Sequence, residues 1–224
     1  MRKTIIFDMD GTLYRFMGGT FKDSGLAAAI GRKMLEFVSD RLNVTSAEAK
    51  EIIDNIRAKY GQQISLGLEQ EFLLSRYDYF DFAWNLDPAD FVEPDPTVRQ
   101  IFQTLEPGFD FVLLSEAPRI WITKILDYLE ITDFFAARIF SGEGDIRKSF
   151  NNAFGFVLET LALNPRLTFS VGDQFDTDII PAKKLGLTTI FVGGETVFAD
   201  YSVETLRDLP RLKPIQDELA SLLG

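Results

Sequence analysis

Thr4-Ile5-Ile6-Phe7-Asp8-Met9-Asp10-Gly11-Thr12 is the stretch on which the fold turns. Residues 4–7 are apolar or β-branched, and the run stops abruptly at two aspartates and a glycine. Such a short run, ended by turn residues, predicts a buried strand that feeds a loop. Downstream the same design recurs. Strands are expected at 109–114, 138–140, 167–171 and 188–192, and helices at 95–105, 118–129, 149–161, 178–185 and 214–222. Asp95 and Pro96 fit the N-cap and first position of their helix, and Gly186 fits the C′ position that closes another.

One region breaks the alternation. From about Asp23 to Tyr60 apolar residues recur at helical spacing, with Thr45-Ser46-Ala47-Glu48 forming a capping box. Residues 67–86 read as two further short helices, and no strand pattern occurs between Asn43 and Leu86. The expected fold is therefore α/β, a Rossmann-like, doubly wound parallel sheet with an inserted all-helical cap. Residues 1–16 and 92–224 would form the core domain and 17–91 the cap.

Composition bounds the chemistry. The 224 residues are 46% hydrophobic and 25% charged, which excludes disordered and low-complexity classes. Twenty-one phenylalanines are expected to fill much of the core, together with Trp84 and Trp121. The absence of cysteine removes disulfides and thiolate chemistry; the absence of histidine removes imidazole bases and ligands. Catalysis must rest on carboxylates, hydroxyls, lysine, arginine or a hard metal ion. A net charge of −11 argues against nucleic acid polymers and anionic membranes as partners. No segment approaches the ~20 apolar residues of a membrane span, and the N-terminal apolar run is too short for a signal core, so a cytoplasmic location is expected.

Doubly wound sheets bind ligands beyond the carboxyl ends of their strands. Polar residues do gather where the apolar runs stop: Asp8 and Asp10, then Ser115 and Glu116, then Asp173 with Asp178 following; Lys148 precedes a predicted helix. Aspartates, a hydroxyl and a lysine at one edge suit Mg²⁺ and a phosphate group. A carboxylate can act as nucleophile, and a second, crowded carboxylate can keep its proton and serve as acid.

These residues carry a resemblance to the haloacid dehalogenase superfamily, specifically its phosphatase branch. Phe7-Asp8-Met9-Asp10-Gly11-Thr12-Leu13 is similar to the first signature of that family, Ser115 after Val112-Leu113-Leu114 to the second, Lys148 with Phe154 to the third, and Gly172-Asp173-Gln174-Phe175-Asp176-Thr177-Asp178 to the fourth. The resemblance implies that Asp8 is both the nucleophile and a Mg²⁺ ligand, and Asp10 the general acid/base whose carbonyl helps to hold Mg²⁺. It further implies that Lys148 steadies nucleophile and phosphate, that Asp173 is a metal ligand, and that Asp178 supports it. The phosphate is expected at Ser115, Glu116, Gly11 and Thr12. Glu116 and Ser149 depart from the asparagine and proline usual at their positions.

Tyr60-Gly61, Leu66-Gly67-Leu68 and Val92-Glu93-Pro94-Asp95-Pro96 resemble the pyrimidine 5′-nucleotidase-like group, so a nucleoside monophosphate is the first expected substrate. Tyr14, Arg15, Tyr60 and Arg76 are candidate substrate contacts. A sugar-phosphate or phosphoglycolate phosphatase, a phosphomutase and a non-catalytic phosphate-binding module are the alternatives. The partner expected is a small phosphomonoester; monomer and homodimer both remain open.

Overall fold

The computed structural model describes residues 2–148 and 152–222. The first apolar run forms β1 (Lys3–Phe7). A second strand, β2 (Arg15–Phe16), precedes four helices: α1 (Leu26–Leu42), α2 (Ser46–Tyr60), α3 (Ile64–Phe72) and α4 (Arg76–Ala83). After β3 (Val92–Glu93), strands and helices alternate: α5 (Val98–Leu105), β4 (Phe109–Leu114), α6 (Arg119–Tyr128), α7 (Thr132–Phe135), β5 (Ile139–Phe140), α8 (Ala153–Thr160) and β6 (Thr168–Gly172). A π-helical turn, Phe175–Ile179, leads into α9 (Ile180–Lys184); β7 (Thr188–Val192), β8 (Tyr201–Val203) and α10 (Lys213–Ser221) complete the chain.

Six strands form one sheet in the order β5-β4-β1-β6-β7-β8, and every neighbouring pair is parallel. The order reverses beside β1: the chain winds outward through β4 and β5, then returns to β1's other side as β6. The carboxyl end of β1 is therefore the switch point where a crevice opens. Phe7 pairs in register with Leu113 of β4 and Val171 of β6, so Asp8, Ser115 and Asp173 follow at nearly one level. Thr45 closes the expected capping box at the start of α2, with Glu48 answering its backbone N–H at 2.8 Å.

Several boundaries differ from expectation. Asp95 does not cap α5; its carboxylate takes the N–H of Thr97 at 2.9 Å and pairs with Arg207, and the helix starts at Val98. The short carboxylate closes a local turn before the helix can begin. Of the helix predicted at 149–161, positions 149–151 lie outside the described residues; α8 begins at Ala153, with Asn152 accepting from Gly155 N–H. The short helix α7, strand β8 and the two-stranded antiparallel ribbon of β2 and β3 were not expected. That ribbon ties together the two ends of the segment 17–91, and Met17 N–H adds a bond to Phe91 O at 2.9 Å.

Phenylalanines do pack the interior. The ring of Phe102 lies 5.1 Å from those of Phe7 and Phe111 and 5.3 Å from Phe135, spacings at which offset and edge-on aromatic contacts are favourable. In the segment 17–91, Phe37 meets Tyr79 and Phe82, each at 5.7 Å. Phe102→Ala should lower unfolding free energy by about 3–5 kcal/mol, since it removes a fully buried ring, whereas Val197→Ala, 91% exposed, should stay within about 0.5 kcal/mol. Chemical denaturation of the two variants beside the parent would measure both.

Candidate active site

Asp8 leaves the end of β1 with its N–H still bonded to Val171 O at 2.9 Å, so its backbone continues the sheet by one residue. Its carboxylate is buried. Lys148 Nζ donates to Asp8 Oδ1 at 2.6 Å and to Asp178 Oδ1 at 2.6 Å. Thr12 Oγ1 donates to Asp8 Oδ2 at 3.0 Å, with Asp173 Oδ1 also in reach at 3.4 Å. Asp178 sits in the π-helical turn; its other oxygen accepts Gln174 N–H at 3.0 Å, and its carbonyl accepts from Ser170 Oγ at 2.9 Å. The wider turn brings Asp178 back over the end of β6.

Two glycines make room. Gly11 has a φ of +88°, and a Cβ there would collide with Asp173 Oδ2. At Gly172 a Cβ would collide with Asp178. Oxygens from Asp8, Asp173 and Asp178 consequently lie within 4.8 Å of one another. Three carboxylates against one ammonium leave excess negative charge. Burial pushes the Asp173 carboxyl up to about 7, reinforced by Asp8 and Asp178. Asp178 rises to about 6, again by burial first, although Lys148 opposes the shift. Burial works against the charge on Lys148, but Asp8 and Asp178 more than reverse it, and its pKa is raised. An all-oxygen donor set with uncompensated charge fits a hard divalent cation.

Asp10 is directed elsewhere. Its Oδ1 accepts from the Tyr14 hydroxyl and, at 3.4 Å, from Trp121 Nε1. Burial, followed by the charge of Asp8, raises its pKa to about 6 even though both hydrogen bonds pull it down. The two aspartates of one signature thus occupy different environments: one is held by a cation, the other by neutral donors.

Ser115 is buried directly after β4, where its Oγ accepts Ala117 N–H at 3.1 Å and keeps its own proton to donate. The loop at 142 crosses its neighbour Glu116 so closely that a Cβ on Gly142 would strike the Glu116 carbonyl. The Glu116 side chain interacts electrostatically with Arg147, so this carboxylate has a cation to face. Thr12 uses its N–H on Met9 O at 3.2 Å and its hydroxyl on Asp8.

The candidate substrate contacts divide. Tyr14 is buried with its hydroxyl on Asp10. Tyr60 bonds Glu71 at 2.5 Å within the helical segment. Arg76 is held by Glu69 at 2.5 Å and reaches Asp145 at 2.8 Å, in the loop leading to Lys148. Arg15 alone of the four is exposed; it lines a cavity of about 620 Å³ that also touches Gly11, Thr12, Asp173, Glu93 and Thr205. Trp121 is not packing alone, because its indole N–H reaches Asp10 and, at 3.3 Å, the Tyr14 oxygen. Only a buried polar tip seeking a partner could have hinted at this in the sequence.

Comparison with known proteins places the chain in a class. Residues 2–186 match the family of haloacid dehalogenase-like hydrolases, and the protein belongs to that family. Glyceraldehyde 3-phosphate phosphatase of Methanocaldococcus jannaschii is 25% identical over 225 residues, covering 93% of this chain and 96% of the relative. The enzyme of the same name from Methanothermobacter thermautotrophicus is also 25% identical, covering 96% and 100%. Among solved structures, a haloacid dehalogenase-type phosphatase from Thermococcus onnurineus superposes with a TM-score of 0.62 at 18% identity, covering 93% of this chain and 96% of that one, a likeness of fold. Family and relatives support one enzyme class, a phosphatase. No helix among the described residues is long and apolar enough to cross a membrane.

Gly11→Ala should displace Asp173 and weaken divalent-cation affinity by about tenfold or more, read by calorimetric titration. A pH effect follows from the raised carboxyls. Asp173, Asp178 and Asp10 hold protons more tightly folded than at their ordinary value of 3.8. The stability this lends is complete below about pH 4 and is lost as pH rises through 6 to 7. Melting temperature in the presence of a chelator should therefore fall across that window, and Mg²⁺ should reduce the fall.

Proposed function

We propose that this protein is a Mg²⁺-dependent phosphomonoesterase that works through an aspartyl-phosphate on Asp8 and acts on a small sugar phosphate. The observation that carries the reading is the convergence of Asp8, Asp173 and Asp178 around Lys148 at the strand ends. Those three carboxylates would hold the ion, with the Asp10 carbonyl in support. Bound Mg²⁺ supplies positive charge against the phosphoryl oxygens.

The chain's own residues do the rest. Asp8 Oδ attacks phosphorus while Lys148 neutralises it and keeps the carboxylate aimed. The Ser115 hydroxyl and the backbone N–H groups of Gly11 and Glu116 donate to the phosphoryl oxygens. Asp10 gives its proton to the departing ester oxygen, then takes one from the water that hydrolyses the aspartyl-phosphate. Because Thr12 has both its donors engaged, we assign it to fixing Asp8 rather than binding phosphate.

We read residues 17–91 as a cap over this crevice, joined to the core by the β2–β3 ribbon and by Arg76 bonded to Asp145. A short sugar phosphate is preferred to a nucleoside monophosphate on the names of the relatives. The polar residues Arg15, Glu93 and Thr205 around the adjoining cavity suit hydroxyl groups. Arg76, the basic residue that a mutase would use to hold a second phosphate, is already paired with two carboxylates, which weighs against that alternative.

Phosphate release should be followed with Mg²⁺ across triose and other sugar phosphates, phosphoglycolate and nucleoside monophosphates. Highest kcat/KM on a triose phosphate is expected; preference for a nucleotide would overturn the substrate assignment. Asp8→Asn should lower kcat by at least about 10⁴-fold while melting as a folded protein, and activity within tenfold of the parent would end the covalent mechanism.

A further inference from the structure

Two buried aromatic donors meet on one oxygen of Asp10. Tyr14, four residues further along the chain, bonds Oδ1 through its hydroxyl, and an isolated backbone bridge between residues 10 and 14 holds the turn that makes this contact. Trp121 arrives from the first turn of α6, fully buried, with Nε1 shared between Asp10 Oδ1 at 3.4 Å and the Tyr14 oxygen at 3.3 Å. Trp84 and Phe91 pack on the indole with ring centroids at 6.4 Å, which fixes its plane. Both donors belong to side chains at most 3% exposed, so bulk water does not compete for them.

We propose that Tyr14 and Trp121 are positioning residues that decide which oxygen of Asp10 delivers the proton. A carboxyl group has one hydroxyl and one carbonyl oxygen, and an oxygen facing two donors must remain the acceptor. Oδ1 is therefore the carbonyl side, and the proton sits on Oδ2, turned away from Tyr14 and Trp121. The inference rests on the acid role given to Asp10 above. In that step a bond forms between an Asp8 oxygen and phosphorus while the ester P–O bond breaks. The bonding pair stays on the ester oxygen, and the Oδ2 proton moves to it, so that a neutral alcohol leaves. Without the two donors, the carboxyl group can rotate and carry its proton on the wrong oxygen. Plain packing by the same two rings makes no such distinction between leaving groups.

The test compares Tyr14→Phe and Trp121→Phe with the parent, as full-length protein with Mg²⁺, on two probes. Glycerol 3-phosphate has an alkoxide leaving group that needs the proton; 4-nitrophenyl phosphate has a phenolate that leaves without it. The ratio of kcat/KM values isolates the leaving-group step, because the aspartyl-phosphate is common to both. Each variant should lose about tenfold or more on glycerol 3-phosphate and less than about threefold on 4-nitrophenyl phosphate. Asp10→Asn should show the same bias on a larger scale. Equal losses on both probes, or none, would overturn the proposal. Tyr14→Phe deletes only a hydroxyl, so it decides the matter even if Trp121→Phe does not fold. A parent enzyme that hydrolyses neither probe nor any sugar phosphate would instead bring down the phosphatase reading, and this inference with it.

Discussion

The buried ammonium of Lys148, 2.6 Å from both Asp8 and Asp178, is the constraint around which the site is built. Three carboxylates cannot converge in a buried crevice without a cation, because their mutual repulsion and lost hydration would protonate them or drive them apart. Lysine at 148 allows two of them to approach; the third, Asp173, keeps a strongly raised pKa. The parallel sheet provides the convergence, since β1 and β6 end at the same level. Glycines at 11 and 172 and the π-helical turn at 175–179 provide the clearance. Each of these features lacks a clear purpose alone and gains one from that charge balance.

A second constraint separates Asp8 from Asp10. Two aspartates two residues apart at a strand end point to different sides of the chain, as alternate residues around a turn can. One meets a full positive charge and a threonine hydroxyl; the other meets a phenol and an indole. Neutral donors orient a carboxyl group without forcing it to ionise, whereas an ammonium favours the carboxylate. Under the function proposed above, the same pair of residues would supply a nucleophile and an acid, distinguished by their neighbours.

What could be read from the sequence follows the range of the interactions involved. Strands β1, β4 and β7 were legible because central parallel strands are continuous apolar runs bounded by turn residues. The capping box at Thr45 is a local device and was equally plain. Strand β8 was not, because Tyr201-Ser202-Val203 becomes a strand only by pairing with β7 at the sheet edge. The approach of Asp8 to Asp173 could be expected from strand ends; Lys148, which precedes a predicted helix, could not be placed that way, nor could the service of Trp121 to Asp10, since it depends on where α6 docks. Tyr60 and Arg76 have the chemical type of substrate contacts, but their partners Glu71, Glu69 and Asp145 lie too far along the chain, or at too common a spacing, to be foreseen.

Charge bears on the size of ligand that the proposed function would admit. With a net charge of −11, the molecule repels anions at long range, but salt confines that field to roughly 8 Å at physiological ionic strength. Attraction of a phosphate must then be local, and the chain places its cations accordingly. Lys148 is buried against Asp8 and Asp178, Arg76 reaches Asp145 in the loop that leads to it, and Arg15 lines the cavity that touches Asp173. Glu116 interacts with Arg147, and Arg76 is held by Glu69 and Asp145. Most positive charge near the crevice is thus already balanced by carboxylates. A polyanion would gain little from such paired cations while meeting the acidic surface beyond them. On the function proposed above, a single phosphate would meet Lys148 and the cation held by the neighbouring carboxylates, and a ligand small enough to leave the rest of the acidic surface untouched would avoid its repulsion.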